Sequence, residues 1–175
     1  MEKIVVLSCT NRPNSNTLKV SKIYENILKS LNVEAKLLDF RLLPETLAFS
    51  ETFGKKTEAY ADLIKEYISS TGKFIFVVPE YNGSFPGILK TFIDSMHPRE
   101  WDNKYVCLVG VADGRAGNLR GLEHLTGIFH YLKMRVYHNK LPISVVNKLL
   151  DADGSFHDEG QYNACKAQVE GFLSY

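Results

Sequence analysis

Residues 74–78, Phe74-Ile-Phe-Val-Val, form an unbroken apolar run that ends in Pro79 and a polar, glycine-containing stretch. A strand that is apolar at every position needs cover on both faces, which is the situation of a central strand in a parallel sheet. Pro86 and Gly87 then precede a helical repeat of Ile88, Leu89, Phe92, Ile93 and Met96. Strand, tight polar loop and helix start in direct succession bring free backbone N–H groups to the carboxyl edge of a sheet. That edge is where α/β proteins bind ligands.

The alternation runs from end to end. Ile4–Leu7 is a short apolar strand, and Val20, Ile23, Tyr24, Ile27, Leu28 and Leu31 recur at helical spacing. Val33–Asp39 alternates as a second strand, and residues 40–54, with Pro44 and Gly54, read as a loop. Ala59, Tyr60, Leu63, Ile64, Tyr67 and Ile68 mark a second helix, and Tyr105–Val111 a fourth strand. Leu119, Leu122, Leu125, Phe129 and Leu132 mark a fourth helix, and Met134–Tyr137 a fifth strand. A closing helix begins near Asp158 and turns Tyr162, Cys165, Val169 and Phe172 inward. This pattern predicts an α/β fold in one domain over residues 1–175: a three-layer, doubly wound, five-stranded parallel sheet, flavodoxin-like, with strand order 2-1-3-4-5. The switch point of that order lies between the first and third strands. The two most unusual loops follow those two strands.

Charge and composition narrow the partners. Twenty-one basic residues against twenty acidic ones leave +1, with no Lys/Arg stripe, so neither nucleic acid nor an anionic membrane is an expected partner. The longest apolar runs are strand-sized and too short to span a bilayer. Met-Glu-Lys leads into the first strand pattern without a signal-peptide cleavage site. Cys9, Cys107 and Cys165 fit no disulfide framework or metal knuckle, so a reducing, cytoplasmic location is expected. No HExxH pair occurs, and His124 and His130 lie six apart on a helix, facing different ways. The segment Asp151–Asp158 has glycine at its fourth position instead of the sixth, so it reads as a turn plus an Asp158 cap rather than a calcium loop. No metal site is expected.

Three loops carry the candidate site. The first, from Ser8 to Thr17, holds hydroxyls, amides and one guanidinium, with a helix N-terminus capped by Asn14 or Ser15. Thr10, Arg12, Ser15, Asn16 and Thr17 offer the donors and positive potential that suit a phosphate dianion, or else an ordinary cap with a surface arginine. The second loop is Pro79, Glu80, Tyr81, Asn82, Gly83 and Ser84. Asn82-Gly83 permits φ > 0, so the backbone can approach a planar ligand closely. The third, Ala112 to Asn118, supplies Gly114, Arg115 and Gly117, but its spacing does not make a dinucleotide fingerprint. Gly83-Ser84-Phe85-Pro86-Gly87 is no nucleophile elbow, because one residue is missing before the serine.

Residues 79–94 resemble, almost letter for letter, the flavin loop of the NAD(P)H-dependent FMN reductase family, Pro-Glu-Tyr-Asn-x-Ser-x-Pro-Gly-x-Leu-Lys-x-x-Ile-Asp. Thr10, Arg12, Ser15 and Thr17 fall on that family's phosphate-loop positions, with Cys9 where glycine is usual. Gly114, Arg115 and Gly117 match its third loop, with Asp113 and Asn118 in place of glycines. The resemblance implies an FMN-dependent oxidoreductase. Hydride from NADPH or NADH passes to bound FMN and on to a flavin, quinone or similar small-molecule acceptor. It also implies a homodimer or homotetramer, and Leu47, Phe49 and Phe53 are apolar residues available either to a partner or to the protein's own core. No side chain is nominated as catalytic, because the flavin carries the chemistry. Two other readings stand beside this one: a flavodoxin-like electron carrier without NAD(P)H activity, and a non-catalytic flavodoxin-like interaction module.

Overall fold

The structure is a computed structural model, and it describes residues 3–175. Strands β1 (Ile4–Ser8), β2 (Ala35–Asp39), β3 (Lys73–Pro79), β4 (Tyr105–Val111), β5 (Arg135–Val136) and β6 (Leu141–Ile143) form one parallel sheet. Helices α1 (Asn16–Ser30), α2 (Glu58–Ile64), α3 (Gly87–Asp94), α4 (Leu119–Tyr131) and α5 (Glu159–Leu173) cover its faces. The order is β2-β1-β3-β4-β5, as expected for a flavodoxin-like sheet.

Why this sheet is buried on both faces can be read from single strands. Val5 and Leu7 of β1, with Phe74, Phe76 and Val78 of β3, join a core closed by Tyr60, Phe92, Trp101 and Phe129. Their neighbours Ile4, Val6, Ile75 and Val77 point the other way, into a core closed by Tyr24 and Ile27 of α1 and Val169 and Phe172 of α5. The period-2 alternation of side chains therefore feeds two separate cores. Each fully buried aromatic or aliphatic side chain contributes roughly 1.5–3 kcal/mol.

Three expectations change. The fifth strand is two short pieces, β5 and β6, both paired to β4. They part at His138–Lys140, where Gln168 Nε2 donates to the Asn139 carbonyl (2.7 Å) and to the Leu108 carbonyl (3.1 Å), while its Oε1 accepts from Tyr24 (2.6 Å). A buried amide from α5 thus captures a backbone carbonyl at the break, a long-range contact that no local pattern announces. Residues 40–54 are partly helical: Phe40–Leu42 is a 3₁₀ turn and Leu47–Glu51 a π-helical one. Leu47 is buried in the protein's own core, whereas Phe49 (84% exposed) and Phe53 (90%) face outward. On α5, Cys165, Val169 and Phe172 are buried, but Tyr162 is 36% exposed and lies at the edge of the helix's inner face.

All three cysteines are free and buried. Burial pushes each thiol up in pKa, and it raises Tyr24 and lifts Tyr60 from its ordinary value near 10 to about 12. The folded pKa values lie above the unfolded ones, so this contribution to stability is complete below about pH 8.5 and is lost as pH rises through the folded values. We expect a Tm that falls steadily above about pH 9. A thiol reagent should label no cysteine in the native protein and three after denaturation.

Candidate functional site

The carboxyl ends of β1, β3 and β4 meet at one cleft. Ser15 caps α1: its side chain accepts from the Leu18 amide (3.2 Å), and Asn14 precedes it at φ 52° in the turn. Helix geometry leaves the Asn16 and Thr17 amides without intrahelical acceptors. Thr10 Oγ1 takes the Arg12 amide (3.2 Å) and is hydrogen-bonded to the Tyr81 hydroxyl (2.7 Å). That second bond joins the first loop to the second across 71 residues of chain.

The second loop is a two-residue hairpin turn. Tyr81 and Ser84 exchange both backbone bonds (2.8 and 3.1 Å), and Asn82 (φ 50°) and Gly83 (φ 79°) are both left-handed, as a type I′ turn requires. A Cβ on Gly83 would meet Arg120 Nη1 at 2.7 Å, so the guanidinium lies over the turn. Ser84 Oγ bonds His124 Nδ1 (2.8 Å) on α4.

Arg12, Ser15, Asn16, Thr17, Pro79, Glu80 and Tyr81 line one cavity of about 140 Å³. Thr10 lies behind it, tied to Tyr81. Gly83 and Ser84 are turned toward α4, and neither they nor Asn82 line the cavity. Gly114, Arg115 and Gly117 also lie outside the lining. Gly117 (φ 53°) packs its α-carbon against Pro142, and the Arg115 carbonyl accepts from Ser144 (2.8 Å). Cys9 presents no side chain to the cleft: its thiol is buried and donates to the Leu7 carbonyl (3.4 Å).

The cavity's far wall contains residues that sequence reasoning left out. Val111, Ala112 and Asp113 follow from the end of β4, and Val146 arrives from beyond β6. The Ser144–Val146 segment is fixed to the third loop by bonds from the Val145 amide to Gly114 O (3.3 Å) and from the Val146 amide to Ala112 O (3.1 Å). Val145 sits at φ 51°, an outlier for a β-branched residue. Asn118 was legible only as a missing glycine. In the structure it is left-handed (φ 66°) and buried, and its Nδ2 donates to the carbonyls of Val78 (3.1 Å) and Pro79 (3.0 Å). Asn118 therefore supplies the backbone freedom of a glycine and also bolts the third loop to the end of β3. Asn118→Gly should keep the conformation but lose about 1–2 kcal/mol with the bonds, and Asn118→Leu should lose more, because it adds strain. Thermal melts of the two variants give this ordering.

The fold is flavodoxin-like, and the cleft lies at the sheet's switch point between β1 and β3. The profile of the NADPH-dependent FMN reductase family matches residues 2–148. The chain belongs to that family. Among its relatives, an NAD(P)H-dependent FMN reductase of Schizosaccharomyces pombe is 37% identical over 70 residues, covering 39% of this chain and 33% of that protein. This chain thus spans a third of that relative's length. An NADPH azoreductase of Bacillus sp. (strain OY1-2) is 28% identical over 144 residues, 82% of this chain and 75% of that one. The structure of FerB, a flavoenzyme NAD(P)H:(acceptor) oxidoreductase from Paracoccus denitrificans, has the same fold, with a TM-score of 0.79, 20% identity and coverage of 100% and 97%.

Proposed function

We propose that this protein is an FMN-dependent NAD(P)H oxidoreductase acting on a small-molecule acceptor of the quinone or azo class. Its cofactor is held by Thr10, Arg12, Ser15, Asn16 and Thr17 with Pro79–Ser84, and the 114–117 turn serves as the outer support. The observation that carries this reading is the Thr10–Tyr81 bond, which ties the loop before the capped α1 N-terminus to the first residue of the type I′ turn at one cavity. The donor set fits FMN. The free amides of the first α1 turn, the helix dipole and the Arg12 guanidinium suit a phosphate dianion. Val111, Ala112 and Val146 give the cavity an apolar wall. Its volume is about 140 Å³. Sites that enclose a whole ligand hold roughly 300–1,000 Å³, so the cavity suits the phosphate end and leaves a flavin ring open to other reactants.

FMN, when bound, accepts hydride from a nicotinamide and returns two electrons to an acceptor. The chain's part is positioning. The Tyr81–Ser84 turn is rigid through its paired backbone bonds, and Asn118 fixes the strand end beneath it. No side-chain acid or base is needed for the hydride step.

The assembly proposed is a homodimer or homotetramer in a cytoplasmic setting, built from one domain over residues 1–175. Its support is an apolar groove of about 490 Å³ between α3 and α4, lined by Ile93, Met96, Ile128, Tyr131 and Leu132, with Tyr131 84% exposed. His124 borders the groove and holds Ser84 of the site loop, so a second copy seated there would brace the flavin turn. Among the described residues no helix is long and apolar enough to cross a membrane. Steady-state NADPH oxidation with a quinone or azo dye tests the activity. FMN-dependent turnover is expected, and its absence with both NADPH and NADH overturns the proposal.

A further inference from the structure

Two concavities outside the cleft differ in charge. In the α3–α4 groove, Lys90 and Asp94 are paired with each other (2.7 Å), so that surface offers neutralised charge on an apolar wall. The second concavity, about 490 Å³, lies between α1 and the turn at residues 153–155. Lys19, Lys22 and Asn26 stand along it at helical spacing on one face of α1. Neither lysine forms an ion pair or side-chain hydrogen bond among the described residues. Lys19 is half-buried. Its stem lies on Gly154 (φ 89°), where an added Cβ would sit 3.3 Å from Lys19 Cγ. The stem is thus packed while the ammonium stays available at the rim. Asp153 is the one carboxylate in the lining, and its Oδ1 is occupied by the Ser155 amide (2.9 Å) and hydroxyl (2.7 Å). Two cations against one carboxylate leave the cavity positive.

Asn14 and Ser15 line both this cavity and the flavin cleft, so the two adjoin at the start of α1. A dinucleotide whose nicotinamide meets the open flavin ring carries its adenosine end beyond the cleft, where an adjoining concavity can hold it. The α3–α4 groove has no uncommitted cation to offer, and this cavity has two. We propose that the cavity takes the adenosine end of NADPH, with Lys19 and Lys22 on the 2′-phosphate and the Asn26 amide within the same pocket. This inference rests on the reductase reading above. It makes the protein selective for NADPH over NADH, because the second nucleotide lacks the one group that uses both lysines.

The test is calorimetric titration of the FMN-supplemented protein with 2′,5′-ADP, 5′-AMP and inorganic phosphate as probes. 2′,5′-ADP should bind at least about tenfold more tightly than the other two. Lys19→Met, which keeps the packed stem, and Lys22→Ala should each weaken it roughly tenfold, while Lys22→Arg should retain it. FMN affinity and Tm should not change. In turnover, KM for NADPH should rise in both weakened variants with kcat and KM for NADH unmoved. Equal affinity for 2′,5′-ADP and 5′-AMP, affinity no better than for inorganic phosphate, or indifference to both substitutions overturns the assignment. Failure of the reductase reading shows separately, as loss of FMN retention or absence of reduction by either nucleotide in the unaltered protein. The probe titration reads the lysines directly in either case.

Discussion

Gly110→Ala should lower Tm by roughly 6–12 °C and leave a protein that does not retain FMN, whereas Gly114→Ala should change neither. Gly110 lies in β4, where an added Cβ would collide with the Gly117 carbonyl oxygen. That carbonyl belongs to backbone with nowhere to go. Gly117 is itself left-handed and wedged on Pro142, where its own Cβ would sit 2.6 Å from the proline Cβ. Overpacking of this kind costs about 3 kcal/mol, at about 2–4 °C per kcal/mol for a chain this size. The displaced loop carries Ala112 and Asp113, which line the cleft. Gly114, by contrast, has ordinary φ and nothing within 4 Å of an added Cβ, so the change there should stay within about 0.5 kcal/mol. Thermal melts, with the flavin retained after desalting, compare the two.

Arg12→Ala should weaken FMN about 10–100-fold without moving the Tm of the apoprotein. Arg12 is exposed and its side chain forms no ion pair among the described residues, while its own amide is held by Thr10. The loop therefore keeps its shape when the guanidinium goes. What is lost is a charge-assisted bond to phosphate, worth about 1.5–3 kcal/mol. Riboflavin, which has no phosphate, should bind the two proteins alike. Flavin fluorescence quenching with both ligands separates these effects. A loss equal for riboflavin and FMN would mean that Arg12 acts on the ring or on the fold.

What the sequence disclosed follows from how local each signal was. The apolar run 74–78, the Ser15 cap and the Asn82-Gly83 turn depend on neighbours within a few residues, and the structure has all three. The strand order followed from the alternation of elements and from there being five strands in a chain of this length. The break between β5 and β6 did not, because it depends on Gln168, nearly thirty residues on. Val146 was invisible for the same reason: β6 carries the chain back over the third loop. Cys9 stands where the resembling family usually has glycine. The extra Cβ goes into the core, since the strand's alternation turns that residue inward. Asn118 is the converse case. It departs from the glycine of the resembling loop, yet asparagine tolerates the left-handed region and brings an amide that two buried carbonyls accept from.

The central claim, a flavin cleft that receives electrons from a pyridine nucleotide, is tested most directly by colour. The protein is loaded with excess FMN, desalted and mixed anaerobically with NADPH while its visible spectrum is followed. A yellow protein that bleaches promptly is the predicted result. A protein that is colourless after desalting, or one that stays yellow with both NADPH and NADH, would contradict it.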